Sequence, residues 1–383
     1  MIKRSSDPGL IQELSHIIQY LNYSLHGVEK SCEDWGGAPC SSGKLAGMAP
    51  GSIACAARWK RLGENLSSRP GIVSEGLRVG ILGAGAMGVK HLEAWHKLGV
   101  PIGGLYARVV DRGRAAAEPY GCPVYDSMDA LLREVQIADV CLPTLLHPSA
   151  VRQAAEAGCQ IVCEKPLALH YQEGEAIFRN CDKAKVRIFV AMVVRFFPAY
   201  RAAWERVGSG ALGQVEQIAL KRVVSPPPPN GSWFLDDRLS GGVLCDLLIH
   251  DIDYAMWLAG DVTKVDARRE GQGQSQYGHI NLEHAGGASS RIEGGWVESG
   301  GLQTTIDIAG TRERLQVAPD RPLPFVDLPE EDPYVLELRH FRDSLASDMP
   351  FLVTREEVLR VMRVVSAARE SAQYGRSIVL TAE

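Results

Sequence analysis

The chain lacks any apolar run long enough to cross a bilayer. Its longest uninterrupted stretch, Ile188 to Val194, falls far short of the ~20 residues that a membrane-spanning helix needs. It also lacks an excess of basic charge. The 41 Lys and Arg against 46 Asp and Glu leave a net charge of −5, whereas a nucleic-acid binder shows a basic domain or stripe. Neither a nucleic-acid partner nor a membrane is therefore expected. Among the nine cysteines there is no C-x-x-C pair. Several of them lie inside apolar runs, as buried free thiols of a reducing compartment do. No secretory leader is evident either, because Asp7 and Glu13 interrupt the N-terminal apolar pattern. The expectation is a cytoplasmic protein. What is present, 45% hydrophobic and 23% charged residues in a chain of 383, fits an ordinary globular protein of about two domains.

Residues 1–76 differ from the remainder. Leu10, Leu14, Ile17, Ile18, Leu21 and Leu25 recur at helical spacing. A Gly-, Ser-, Pro- and Cys-rich stretch follows, with too little apolar surface to offset its ordering entropy. Within it, GAPCSSGKL resembles a phosphate-binding P-loop but has the wrong glycine spacing and Leu45 in place of Ser or Thr. This segment reads as a poorly ordered extension. From Leu77 onward, apolar strands alternate with helices up to Phe197, the pattern of a doubly wound parallel sheet. Residues 198–383 change rhythm. Long alternating strands, interrupted by a helix around Gly242–Leu258 and closed by two more helices, indicate an α+β domain on a largely antiparallel, open-faced sheet. The expected organisation is thus an extension (1–76), a dinucleotide-binding Rossmann domain (77–197) and a substrate and oligomerisation domain (198–383).

Three motifs carry chemistry. The first, Gly83-Ala84-Gly85-Ala86-Met87-Gly88, lies between a strand and a helix. Gly83 allows a tight turn, Gly85 lets a pyrophosphate approach, and Gly88 permits close helix–strand packing, with helix amides facing the phosphates. Asp111 is read as the acid that closes the next strand and accepts the ribose hydroxyls, which favours NAD. Arg112 beside it leaves NADP open. The second motif, Glu164-Lys165-Pro166, ends a strand at the sheet edge where ligands bind. A lysine desolvated there can serve proton transfer. Pro143 and Thr144 occupy the same edge. The third, GGVLCDLLIHDIDYAMWLAG, places Asp246 four residues before His250, so an aspartate can orient an imidazole on one helix face. Asp251 and Asp253 lie on other faces, and His279 and His284 point to opposite faces of a strand. No metal is expected.

These residues, in this order, resemble the Gfo/Idh/MocA family of oxidoreductases. The resemblance runs from about Leu77 to Ile378 and includes GILGAGAMG with His91, LPTLLHPSAVRQAAEAGCQIVCEKPLAL, RFFPAYRAA and SGGVLCDLLIHDIDYAMWLAG. It implies hydride transfer between nicotinamide C4 and a hydroxyl-bearing carbon of a sugar, an inositol-like polyol or a sugar acid. It further implies that Lys165 and His250 handle the hydroxyl proton, with Asp246 one turn earlier. Gly83, Gly85, Gly88, Asp111, Pro143, Thr144, His147 and Glu164 fall at cofactor-side positions. Arg195 and Trp233 become candidate substrate contacts. A homodimer or homotetramer through the second-domain sheet is implied as well. A redox-assisted glycosidase with tightly held NAD, and a non-catalytic NAD(P)-binding regulator, remain alternatives from the sequence.

Overall fold

A computed structural model describes residues 76–227, 233–298, 301–318 and 331–381. The N-terminal helix and the Gly/Ser-rich stretch expected in 1–76 lie outside the described residues, apart from Gly76.

The first domain starts with β1 (Val79–Leu82), α1 (Ala86–Lys97) and β2 (Ile102–Tyr106). It continues with α2 (Val110–Ala117), β3 (Val124–Tyr125), α3 (Met128–Leu132), β4 (Ile137–Val140) and α4 (His147–Glu156). It ends with β5 (Gln160–Glu164), α5 (Tyr171–Ala184) and β6 (Ile188–Ala191). The six strands are all parallel, in the order β3-β2-β1-β4-β5-β6. All four residues of β1 and of β4 are buried, which accounts for their near-continuous apolar character in a sheet covered on both faces. The order turns between β1 and β4, so their C-terminal ends open the crevice in which doubly wound sheets bind ligands.

The second domain comprises α6 (Pro198–Gly208), β7 (Val215–Val224), three short helices α7 (Asp237–Ser240), α8 (Val243–Asp246) and α9 (Ile249–Ala259), and strands β8 (Val262–Gln272) and β9 (Ser275–His284). Then come β10 (Ser289–Trp296), β11 (Gln303–Gly310), β12 (Arg314–Val317), helices α10 (Pro333–Ala346) and α11 (Arg355–Tyr374), and β13 (Ile378–Val379). Among the described residues its strands run in the order β12-β11-β7-β10-β9-β8-β13. Only β7 and β10 pair in parallel; the other neighbours are antiparallel. The short β12 and β13 were not anticipated from the sequence.

Two elements depart from expectation. The helix expected over Gly242–Leu258 is divided into α8 and α9. The strand expected to run through Asp111 stops at Tyr106, and Asp111 falls in the first turn of α2.

The closing helices lock the domains together. Helix α10 packs against α1, and α11 packs against α5, α9 and β8. Phe189, Phe196, His340, Phe341 and Phe351 form an aromatic cluster there, with ring centroids 5.3–6.5 Å apart. No helix among the described residues is long and apolar enough to cross a membrane.

Candidate active site

The glycine turn lies at the end of β1. Gly83 adopts φ +122°, and a Cβ there would stand 2.5 Å from the Cys141 carbonyl oxygen, so only glycine fits. Its amide donates to the Tyr106 carbonyl at 2.8 Å, which ties the turn to the end of β2. A Cβ on Gly88 would collide with the Gly83 carbonyl oxygen, so α1 is drawn close to the strand. Above Gly85 the space is open. Gly85 and Ala86 are exposed and Met87 is half-buried at the start of α1. The first turn of α1 therefore presents amides, with room above them, as a phosphate requires.

Next along the sheet edge, Pro143 leads into a 3₁₀ turn, Thr144–Leu146. Thr144 is 1% exposed, and its hydroxyl has no hydrogen-bond partner among the described residues. A buried hydroxyl in this state is available to a polar group brought by a ligand. These features fit a dinucleotide, which the glycine turn and Thr144 would hold.

Lys165 projects from the end of β5 into the second domain. Its Nζ donates to the Asp246 carbonyl oxygen at 2.8 Å and stands 3.6 Å from the Asp246 carboxylate. His250 follows in the first turn of α9. It is buried, and its Nδ1 has no partner among the described residues. Burial holds its pKa well below the usual histidine value, and the nearby Lys165 and Arg222 cations lower it further. The imidazole is neutral at neutral pH and able to accept a proton. Burial pushes the Asp246 carboxyl up; Lys165 draws it down, and the Glu164 charge adds to the rise.

The expected pairing of Asp246 with His250 does not form. The helix break between α8 and α9 separates them, and Asp246 engages Lys165 instead. Other expectations are corrected as well. His147 has backbone carbonyls at both ring nitrogens. It is fully buried, with Nδ1 2.9 Å from the Pro166 carbonyl and Nε2 2.7 Å from the Leu142 carbonyl, so it ties the ends of β4 and β5 together. Glu164 turns inward. It accepts the Lys165 amide at 3.0 Å and lies 3.2 Å from His91 Nε2. Arg195 is 1% exposed and does not reach the cleft. It makes a two-pronged pair with Asp253 at 2.9 and 2.6 Å, and Glu357 lies 3.1 Å away. Asp111 points to solvent beside Arg114 at 3.5 Å, and Arg112 follows it in α2. Trp233 is half-buried and stacks on Phe234. The segment continues into α7, which packs against the 3₁₀ turn at Thr144.

Several supporting residues were given no role from the sequence. Arg222 pairs with Asp251 at 2.7 Å and donates to the Tyr200 hydroxyl at 3.0 Å, beneath His250. His91 pairs with Asp139 at 2.9 Å, and Trp95 donates to the same carboxylate at 2.7 Å. Together with Cys141 these groups bring donors within 4.8 Å of one another, but they are engaged with each other behind Glu164. The available signal was the pair of aspartates in the apolar segment LLIHDIDYAMW. A buried carboxylate requires a partner, and Arg195 stands within the apolar string VAMVVRFF.

The arrangement is a dinucleotide cradle facing a lysine and a neutral histidine across a domain junction. Residues 77–192 match the sequence family described as an oxidoreductase family with an NAD-binding Rossmann fold, and residues 200–316 match the Gfo/Idh/MocA C-terminal domain. The chain belongs to the Gfo/Idh/MocA family of oxidoreductases. D-xylose 1-dehydrogenase (NADP(+)) 2 of Haloferax volcanii is 29% identical over 325 residues, covering 79% of this chain and 99% of that protein. Myo-inositol 2-dehydrogenase of Thermotoga maritima is 26% identical over 336 residues, covering 79% and 98%. Among solved structures, GenD2 from gentamicin A biosynthesis in complex with NAD superposes with a TM-score of 0.74 at 23% identity, covering 82% of this chain and 99% of that one. Levoglucosan dehydrogenase with NADH and L-sorbose gives 0.72 at 20% identity, covering 80% and 99%. The fold of this Gfo/Idh/MocA oxidoreductase is thus shared along the described length.

Proposed function

We propose that the protein is an NAD(P)-dependent dehydrogenase of a sugar, an inositol-like polyol or a sugar acid. The observation that carries this reading is the meeting of Lys165, from the end of a Rossmann strand, with Asp246 and the neutral His250 of the second domain. Bound dinucleotide would supply the hydride-accepting nicotinamide, held by Gly83, Gly85, Gly88 and Thr144. His250 accepts the substrate hydroxyl proton at its unprotonated ring nitrogen. Lys165 Nζ, fixed by Asp246, stabilises the alkoxide as its charge develops. Well-placed acid–base groups of this kind contribute ~10²–10⁴-fold. Association of identical copies through the second-domain sheet, where Lys221 and Glu293 pair across strands at 3.6 Å, belongs to the same reading by analogy with the family.

The test is a panel of inositols, aldoses and sugar acids offered with NAD⁺ and NADP⁺. Reduced nicotinamide is followed by its absorbance. The reading expects net accumulation of reduced dinucleotide with at least one member. Product released by loss of a leaving group, without such accumulation, would instead support a redox-assisted glycosidase.

A further inference from the structure

The end of β2 carries the residues that bear on which dinucleotide is taken. In a Rossmann domain the ribose-binding acid stands at the end of the second strand, about 20 residues beyond the last glycine of the turn, and an arginine nearby accommodates a 2′-phosphate in its place. Here β2 ends at Tyr106, whose carbonyl accepts the Gly83 amide at 2.8 Å. The next two residues are therefore held beside the glycine turn. They are Ala107, 6% exposed, and Arg108, exposed. Neither carries a carboxylate. The nearest acid in sequence, Asp111, lies on α2 with its side chain 94% exposed and paired with Arg114. From Ala107 to Arg114 the segment holds Arg108, Arg112 and Arg114 against that one acid.

We propose that this site favours the 2′-phosphorylated dinucleotide, with Arg108 as the phosphate's principal partner. The proposal rests on the dinucleotide-dependent reading above. An acid at the strand end would repel a 2′-phosphate and accept the ribose hydroxyls. A methyl followed by a guanidinium does the reverse, because arginine donates in a fixed fork to phosphate oxygens. Val109 and Val110, 54% and 42% exposed, offer apolar surface next to the same position.

Binding of NADPH and NADH to the full chain, without substrate, tests this through nicotinamide fluorescence. The wild type is expected to bind NADPH at least about tenfold more tightly, the scale of hydrogen bonds to a charged group. Arg108→Ala removes most of that preference and leaves NADH affinity within about threefold. Asp111→Asn alters neither affinity. Added salt weakens NADPH binding more than NADH binding. Equal or tighter binding of NADH by the wild type overturns the preference alone, as does an Arg108→Ala protein that still favours NADPH. Selective loss of NADH binding in Asp111→Asn restores Asp111 as the ribose acid and overturns it too. Failure to bind either dinucleotide overturns the dehydrogenase reading itself, and this inference with it.

Discussion

The proposed chemistry turns on keeping His250 neutral beside a cation. Burial, Lys165 and Arg222 all disfavour its protonated form, so in the folded protein it titrates well below 6.5. For alcohol oxidation the imidazole must accept a proton. The turnover rate is therefore expected to be level from neutral pH upward with respect to this group and to fall only on the acid side, below the usual histidine range. Rate profiles against pH check this. An acid limb centred at or above 6.5 contradicts it. The same depression affects stability. The unfolded chain binds a proton on this histidine near pH 6.5 and the folded chain does not, so stability from this group is complete above that pH and is lost as the pH falls. Lys165 and His250 were legible as residues because their neighbours in sequence are distinctive. Their relation to Asp246 was not, since spacing by four assumes an unbroken helix. The Asp246 carbonyl accepts from Lys165, a residue 81 positions away, and the helix does not continue evenly past it.

At the level of elements, the glycine turn separates packing from binding. Gly88→Ala places a methyl against the Gly83 carbonyl oxygen, backbone against which α1 has to shift. The expected cost is about 1–3 kcal/mol of stability, together with weaker dinucleotide binding. Gly85→Ala meets open space, so stability should stay within about 0.5 kcal/mol while dinucleotide binding weakens. Thermal melts and dinucleotide titrations of both variants check the contrast, and equal destabilisation would contradict it. The alternation of strands and helices was readable because buried parallel strands are apolar throughout. The boundary after β2 was not. Val109 and Val110 extend the apolar string of GGLYARVVD, but β3 offers only two residues for pairing, and the chain turns away into α2. That difference moves Asp111 off the strand end.

At the scale of the whole molecule, buried ion pairs join parts that are far apart in sequence. Arg195 follows β6 at the domain junction, and its partners Asp253 and Glu357 come from α9 and α11. Arg195→Met leaves Asp253 buried without its cation and is expected to cost about 3–5 kcal/mol, with Arg195→Met/Asp253→Leu recovering much of it. Urea unfolding midpoints report both values; a double variant no more stable than the single one would contradict the pairing. The division near residue 197 was visible in the change of rhythm, but the return of α10 onto α1 was not. Helical periodicity shows that a helix has an apolar face and says nothing of which distant face covers it. The central claim is that Lys165 and His250, brought together from two domains, perform proton handling beside a bound dinucleotide. Its most direct test compares turnover and dinucleotide affinity in Lys165→Met and His250→Gln, using a substrate identified from the panel. Each variant should lose at least about 100-fold in kcat while its dinucleotide Kd stays within about threefold; near-normal turnover in both would contradict the account.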